Sequence, residues 1–298
     1  MKILITNHWL KKLGGSETFT YTLVKAAKEY GAEVDLFTIH PGIVSDRIQK
    51  DFGVKNQIKG SYDFVLANHH TTVFDCFKKQ IAPIIQTCHG TIPKLEKPST
   101  FANAFVAISE EIACHVIPLV SQPLSIIRNS IDINRFSPEI PVNPKVENVL
   151  SLSFSEKLND KLNRYFTSKG IGFKSLNKHH NPVWDVEKYI NQADLVIALG
   201  RGAYEAFACG RPVLVLDHRP YQGQMADGSV HFTNIDTLAR NNFSGRTYKL
   251  TSPLSFILDQ ALASYNKNAS QFLRSWALKN LHYQTNFLKY IDIWKTIK

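Results

Sequence analysis

The sequence predicts an α/β protein of two doubly wound, parallel-sheet domains. Three observations carry that prediction. Apolar runs of strand length alternate with helical stretches along most of the chain. A proline-rich break, Pro138 to Pro144 (PEIPVNP), divides the alternation into two series. The length, 298 residues, is enough for two domains with a core each.

In the first series Ile3–Thr6 reads as a strand. Glu17–Tyr30 reads as a helix capped by Ser16 and ended by Gly31, and Glu33–Ile39 as the next strand. Phe64–Ala67, Ile84–Thr87 and Ala104–Ile108 are further short strands, the last followed by a helical Ser109–His115. Repeated β-then-α order implies a parallel sheet with helices on both faces. The second series starts at the strand Val149–Leu152 and continues to about Phe272. The aromatic stretch Ser275–Lys298 (Trp276, Tyr283, Phe287, Tyr290, Trp294) has helical period, and core packing explains its rings. The expected domains are 1–140 and 141–274, followed by a helix over 275–298.

Gly200 to Pro212 (GRGAYEAFACGRP) is the most informative stretch. The apolar run Asp194–Leu199 precedes it, and Pro212–Leu216 closes it with a second strand. This is one βαβ step. Gly200 and Gly202 permit a tight turn. A helix starting near Ala203 would aim the N–H groups of Gly202, Ala203 and Tyr204 at an anion, with Glu205 in its first turn. Taken alone, the segment reads equally well as a helix start with an acidic first turn.

These residues resemble the donor segment of GT-B glycosyltransferases, in particular the retaining family 4. The run Glu205-Ala206-Phe207-Ala208-Cys209-Gly210-Arg211-Pro212 resembles that family's Glu-Ala-x-Ala-x-Gly-x-Pro. Leu13-Gly14-Gly15-Ser16-Glu17 resembles its N-terminal glycine loop, which faces the donor phosphates and the acceptor. Ile127–Phe136 resembles its Pro-Asn-Gly-(Ile/Val)-Asp-x-x-x-Phe run, with Ser130 in place of glycine. Asn241–Arg246 resembles a run that follows the donor site in related bacterial enzymes. The resemblance spans most of the chain. It implies two Rossmann-like domains facing a cleft, with the C-terminal helix crossing back onto the first.

Two departures stand out. The family's first donor glutamate, eight residues before the second, falls here on Ile197. The family's diphosphate-gripping Arg falls near Ser153; Lys157 matches its Lys, and Arg201 could replace the missing charge. By resemblance Glu205 contacts the donor ribose and His89, after the strand Ile84–Thr87, faces the sugar. As a lone histidine, His89 reads as a structural hydrogen-bonding group. Lys94 and Glu96 lie on the next loop, where they could meet an acceptor. Val183 and Trp184 would line the base pocket.

Charge is uneven. Residues 1–140 carry 15 Lys+Arg and 13 Asp+Glu, and residues 141–298 carry 20 and 12, so +2 and +8 of the total +10. Such a half suits a polyanionic donor, and equally an anionic membrane surface or a nucleic acid; a solvated basic surface accounts for it too. No apolar run is long enough to span a bilayer, the N-terminus reads as a strand instead of a signal peptide, and four scattered cysteines without CxxC spacing suit a reducing cytoplasm. The histidine pairs His69-His70 and His179-His180 point apart on regular elements, so no metal site is expected. The absence of Asp-x-Asp argues against a metal-held donor.

The expected function is therefore glycosyl transfer from a nucleotide-diphosphate sugar, such as a UDP- or GDP-sugar, without a metal or other cofactor and with retention. The acceptor is a saccharide, a lipid-linked substrate or a small molecule. Two alternatives stand: glycosylation of a modified base in DNA, and a non-catalytic module that binds sugar nucleotides or a partner.

Overall fold

The computed structural model describes residues 1–219 and 223–298. The chain divides into two compact units. Unit 1 is Met1–Ser130 with His282–Lys298, and unit 2 is Ile131–Leu281.

In unit 1 the elements are β1 (Lys2–Trp9), α1 (Gly15–Glu29), β2 (Glu33–His40), α2 (Ile43–Phe52), β3 (Phe64–Asn68), α3 (His70–Lys78), β4 (Ile84–Cys88), β5 (Ala104–Ala107), α4 (Glu110–Val116) and β6 (Leu124–Ile126). Unit 2 contains β7 (Asn148–Ser151), α5 (Glu156–Ser168), β8 (Gly172–Ser175), α6 (Val186–Asn191), β9 (Leu195–Ile197), α7 (Gly200–Ala208), β10 (Val213–Asp217), β11 (Met225–Ser229), α8 (Ile235–Arg240), α9 (Leu254–Ala263) and α10 (Ala269–Leu281). The last helix, α11 (Tyr283–Ile297), belongs to unit 1.

The first sheet has the order β2-β1-β3-β4-β5-β6 and is parallel throughout. The second has the order β11-β10-β9-β7-β8, parallel except for β11. Each sheet steps outward in both directions from its first strand. The order therefore reverses between β1 and β3, and again between β7 and β9. Ligands of open parallel sheets settle at such a reversal, beyond the carboxyl ends of the strands.

The central strands are mostly apolar because helices cover both faces. In unit 2 Leu150, Val196, Val213 and Val215 face one core with Ala203, Tyr204 and Phe207 of α7. Val149, Leu195, Ile197, Leu214 and Leu216 face the other with Leu158, Leu162 and Phe166 of α5. Adjacent strand residues point oppositely, so α5 and α7 lie on opposite faces of this sheet.

Several expected boundaries differ from the observed ones. Helix α1 starts at Gly15 with Gly14 as its N-cap, two residues before the expected Ser16 cap; the Thr18 hydroxyl donates to the Gly14 carbonyl there (2.9 Å). Residues 131–140 lie in unit 2, because Ile131, Ile133 and Phe136 are buried in its core. The expected helix over 275–298 is two helices that meet at His282. Trp276 and Leu281 fill the unit 2 core. Tyr283 donates to Glu29 (2.6 Å), the Tyr290 and Thr87 hydroxyls bond at 3.0 Å, and Trp294 stacks on Phe64, all in unit 1. One amphipathic period ran through both helices, so the sequence did not show the break.

Phe287 of α11 is 1% exposed. Truncating it to alanine should cost about 3–5 kcal/mol. Urea unfolding of Phe287→Ala checks this; a change within experimental error would remove α11 from the unit 1 core.

Candidate functional site

Helix α7 leaves the carboxyl end of β9 beside the order reversal of unit 2. Leu199 is its N-cap, and Gly200 at φ +50° turns the chain directly into helix. The helix thus begins three residues before the expected Ala203, and Glu205 falls in its second turn. The N–H groups of Ala203 and Tyr204 enter the helix's own ladder, and both side chains are fully buried. The donors left at the helix start are those of residues 199–202. Two of these are already spent: Gly200 donates to the Phe243 carbonyl (3.2 Å) and Gly202 to that of Leu199 (3.1 Å). Gly202 is small for a packing reason, since a Cβ there would stand 3.1 Å from Leu152 Cδ1.

The turn that receives the Gly200 N–H is strained. Asn242 and Phe243 both take left-handed backbone, at φ +55° and +48°. Asp227 holds it down: its carboxylate accepts from the backbone N–H groups of Gly245, Thr247 and Tyr248 at 2.7–2.9 Å.

Arg201 and Glu205 form an ion pair one helical turn apart, Nε to Oε1 at 2.8 Å, with side chains 9% and 11% exposed. Burial raises the Glu205 carboxyl above its ordinary range, against the opposing charges of Arg201 and Arg135. Burial likewise lowers the Arg201 guanidinium, against Glu205. Arg135 forms a second pair with Glu187 (2.9 Å) and donates to the Trp184 carbonyl. Its guanidinium lies 5.2 Å from the Trp184 ring centroid. Asp132 takes the N–H groups of Asn134 and Arg135 and fixes that turn. Arg201, Glu205 and Trp184 are thus brought into one buried charged network, while Val183 packs on the α7-side core. Lys157 lies elsewhere, in a cavity between α5 and the end of β10.

In unit 1 the carboxyl ends of β1, β2, β3 and β4 carry a cluster of imidazoles. The His8 ring lies 5.0 Å from His40 and 6.4 Å from His69, and His69 lies 6.3 Å from His89. Burial pushes His8 below the ordinary histidine range, and the charges of His40, His69 and His70 add to it. Asn68 Nδ2 donates to the Thr6 carbonyl (2.9 Å), which turns its Oδ1 toward His89 Nε2 at 2.7 Å. His89 Nε2 therefore carries a proton, and Nδ1 accepts in the neutral ring and donates in the charged one.

His89 N–H donates to Glu96 Oε2 (2.7 Å). His69 takes the His8 N–H at Nδ1 (3.4 Å) and presents Nε2–H to Glu96 Oε1 (3.4 Å). Burial raises the Glu96 carboxyl, but the His69 hydrogen bond, the His89 and His69 charges and the His89 N–H outweigh it; the net shift is downward. Glu96, expected to meet an acceptor, is turned inward at 9% exposure, and Lys94 is exposed. Gly14 and Gly15 form the start of α1, and a Cβ on Gly15 would meet open space. Sequence reasoning found His89 but not its partnership with Asn68, His69 and Glu96; Asn68 and His69 lie about twenty residues earlier, at the end of β3, and the β3–β4 pairing brings them to His89 and Glu96.

Cys76, Cys88 and Cys209 are buried thiols pushed up to about 12 by burial, whereas Cys114 is exposed. Among the described residues no group of three His, Cys, Asp or Glu is arranged to hold a metal, and no helix is long and apolar enough to cross a membrane.

Two outcomes follow for stability. Glu205→Gln or Arg201→Met alone should cost about 3–5 kcal/mol, because each strands a buried charge. The double variant Arg201→Met/Glu205→Leu should recover most of that loss; additive losses in denaturant unfolding would contradict the pairing. For Glu96, a depressed carboxyl adds stability that is present above its unfolded value of about 4.3 and lost as pH falls through the lower folded value. The stability gap between wild type and Glu96→Gln should therefore be wide at pH 6 and narrow toward pH 3. A gap independent of pH would show that Glu96 is not held ionised.

No protein-family model matches the chain, and no curated protein matches it. Solved structures match along nearly its full length. A glycosyltransferase from Rickettsia africae ESF-5 is 13% identical, with 99% of this chain and 98% of that one covered and a TM-score of 0.63. An α-glucosyltransferase in complex with UDP and a 13-mer DNA containing an HMU base is 10% identical, with 99% of each covered and a TM-score of 0.62. MurG from Acinetobacter baumannii is 11% identical, with 99% of each covered and a TM-score of 0.56. The likeness shows the fold: two α/β units of the GT-B glycosyltransferase type.

Proposed function

We propose that this protein is a glycosyltransferase that moves a sugar from a nucleoside-diphosphate sugar to a hydroxyl acceptor. One observation carries the reading. In a GT-B fold, both order reversals hold functional groups at the carboxyl ends of their strands, α7 at β7/β9 and the His89 cluster at β1/β3/β4. The similar structures include one that binds UDP.

Unit 2 takes the donor. The start of α7 faces the diphosphate, whose charge grows as the C1–O bond breaks. Glu205 takes the ribose hydroxyls, and Arg201, expected to grip the diphosphate, instead holds the Glu205 carboxylate in place. The base lies by Val183 and Trp184. Unit 1 offers His89 to a hydroxyl of the sugar or acceptor, and its Nδ1 exchanges a proton there. The Gly14-Gly15 turn gives a phosphate room to approach α1. As the acceptor oxygen bonds to C1, its proton leaves and the nucleoside diphosphate departs. Retention and membership of family 4 rest on the sequence resemblance, and independence from metals on the missing Asp-x-Asp together with the positive charges of unit 2.

A second reading makes the acceptor a modified base in DNA. The DNA complex of the α-glucosyltransferase and the +8 charge of residues 141–298 favour it. Saccharide, lipid-linked and small-molecule acceptors remain within the main reading.

Thermal-shift screening against UDP, GDP, ADP, CMP and dTDP tests the donor site, with EDTA or magnesium present. One diphosphate should stabilise the protein equally under both conditions; no shift with any of them would overturn the reading. Once turnover is in hand, His89→Ala should lower kcat about a hundredfold or more with little change in donor Kd. An unchanged kcat would remove His89 from the chemistry.

A further inference from the structure

Helix α3 turns one side into the unit 1 core through Thr72, Val73 and Cys76. Its other side carries Phe74, Phe77 and Lys78, three and four residues apart and so on one face. The two rings are 40% and 47% exposed. The loop after β4 runs along this helix. Its Leu95 carbonyl accepts from His70 Nδ1 at the helix start (3.2 Å), and Phe101 packs on Phe77 and Phe74 with ring centroids 4.3 and 5.6 Å apart. Phe101 is itself 38% exposed. Three aromatic rings thus form one contiguous apolar patch on the surface of unit 1.

Cationic groups rim the patch. Lys78 Nζ lies 4.2 Å from the Phe74 ring centroid. Lys79 follows at the C-cap of α3, and Lys94 and Lys97 stand on either side of Leu95 on the loop. All four lysines are exposed. From Cys76 to Ser109 the chain has one acid, Glu96, and that one is turned inward to His69 and His89. Asp75, on α3 itself, is half-buried.

Clustered phenylalanines in water forgo their burial energy, so such a patch marks a surface that is covered in use. A second copy seated on the same patch would set the lysines of both copies against each other. An anionic lipid surface suits both features at once. The rings enter the boundary of the acyl chains, the lysine stems lie along it, and the ammonium groups reach the headgroup phosphates.

We propose that the exposed face of α3, with Phe101 and the surrounding lysines, docks unit 1 on an anionic lipid surface. The docking stands whether or not the protein transfers a sugar. Helix α3 starts at the imidazole cluster, with His69 as its N-cap. Resting on the glycosyltransferase reading, the docking therefore favours a lipid-linked acceptor among those named above.

The test is flotation of the full chain with vesicles of phosphatidylcholine alone, and of phosphatidylcholine with about one third phosphatidylglycerol, at low and high salt. Binding to the anionic vesicles is expected, and it should fall with salt. Phe74→Ser/Phe77→Ser should weaken it about tenfold or more, and Lys78→Gln/Lys79→Gln about tenfold, each with an unaltered circular-dichroism melt. Phe256→Ser, at an exposed ring of unit 2, and Lys267→Gln/Lys279→Gln, at two exposed positions there, should leave binding unchanged. No binding to the anionic vesicles would overturn the docking. So would a loss that is equal in the two lysine variants, which is attraction of the net charge alone. A dimer that ignores vesicles and dissociates in Phe74→Ser/Phe77→Ser would make the patch a contact between copies instead. If no nucleoside diphosphate binds, the donor reading and the lipid-linked acceptor fall, and the docking result stands.

Discussion

The buried ion pair between Arg201 and Glu205 is a central constraint on unit 2. Two charges removed from water must find each other or destabilise the fold. Here they do so across one turn of α7, 2.8 Å apart. The neighbouring pair, Arg135 with Glu187, joins the turn after Asp132 to the start of α6. Three chain segments distant in sequence are thereby fixed around the first turns of one helix. The glycine turn, the strained Asn242–Phe243 backbone and the Asp227 clamp complete the fixation from the other side. The helix start then comes to rest beside the reversal of the strand order.

Unit 1 solves a related problem with an amide and a carboxylate. Asn68 and Glu96 are buried; Asn68 donates to the Thr6 carbonyl and takes the His89 ring N–H, and Glu96 takes the His89 peptide N–H and faces the His69 ring. Asn68 is oriented by the Thr6 carbonyl, so it selects the tautomer of His89. Glu96 bridges the His89 backbone and the His69 ring. The strand ends deliver the histidines, and two polar side chains set the direction of their nitrogens. This is the arrangement that a ring needs if it is to exchange a proton at one chosen atom.

Much of this was legible in the sequence. Period and glycine placement located the strands, because both faces of each sheet are covered and the strands stay apolar. The GRGAYEAFACGRP stretch marked α7, but its first turn was misplaced. Gly200 begins the helix at once through its left-handed backbone, which residue type alone did not reveal. Arg201 looked like a phosphate-binding group because a helix started at Ala203 left it outside the helix, where it would not stand one turn from Glu205. Glu96 looked exposed for the same reason: its partner His69 lies 27 positions earlier in the chain. The split of the C-terminal aromatic stretch was hidden because α10 and α11 bury their rings at the same period, in two different cores.

The most direct measurement of the central claim is release of free nucleoside diphosphate from UDP-glucose, UDP-N-acetylglucosamine and GDP-mannose by the purified protein, without any acceptor. A GT-B transferase with a formed donor site should hydrolyse one of these slowly, and Arg201→Met/Glu205→Leu should abolish the release while remaining folded. Release that persists in that variant, or none from any donor with wild type, would contradict the account.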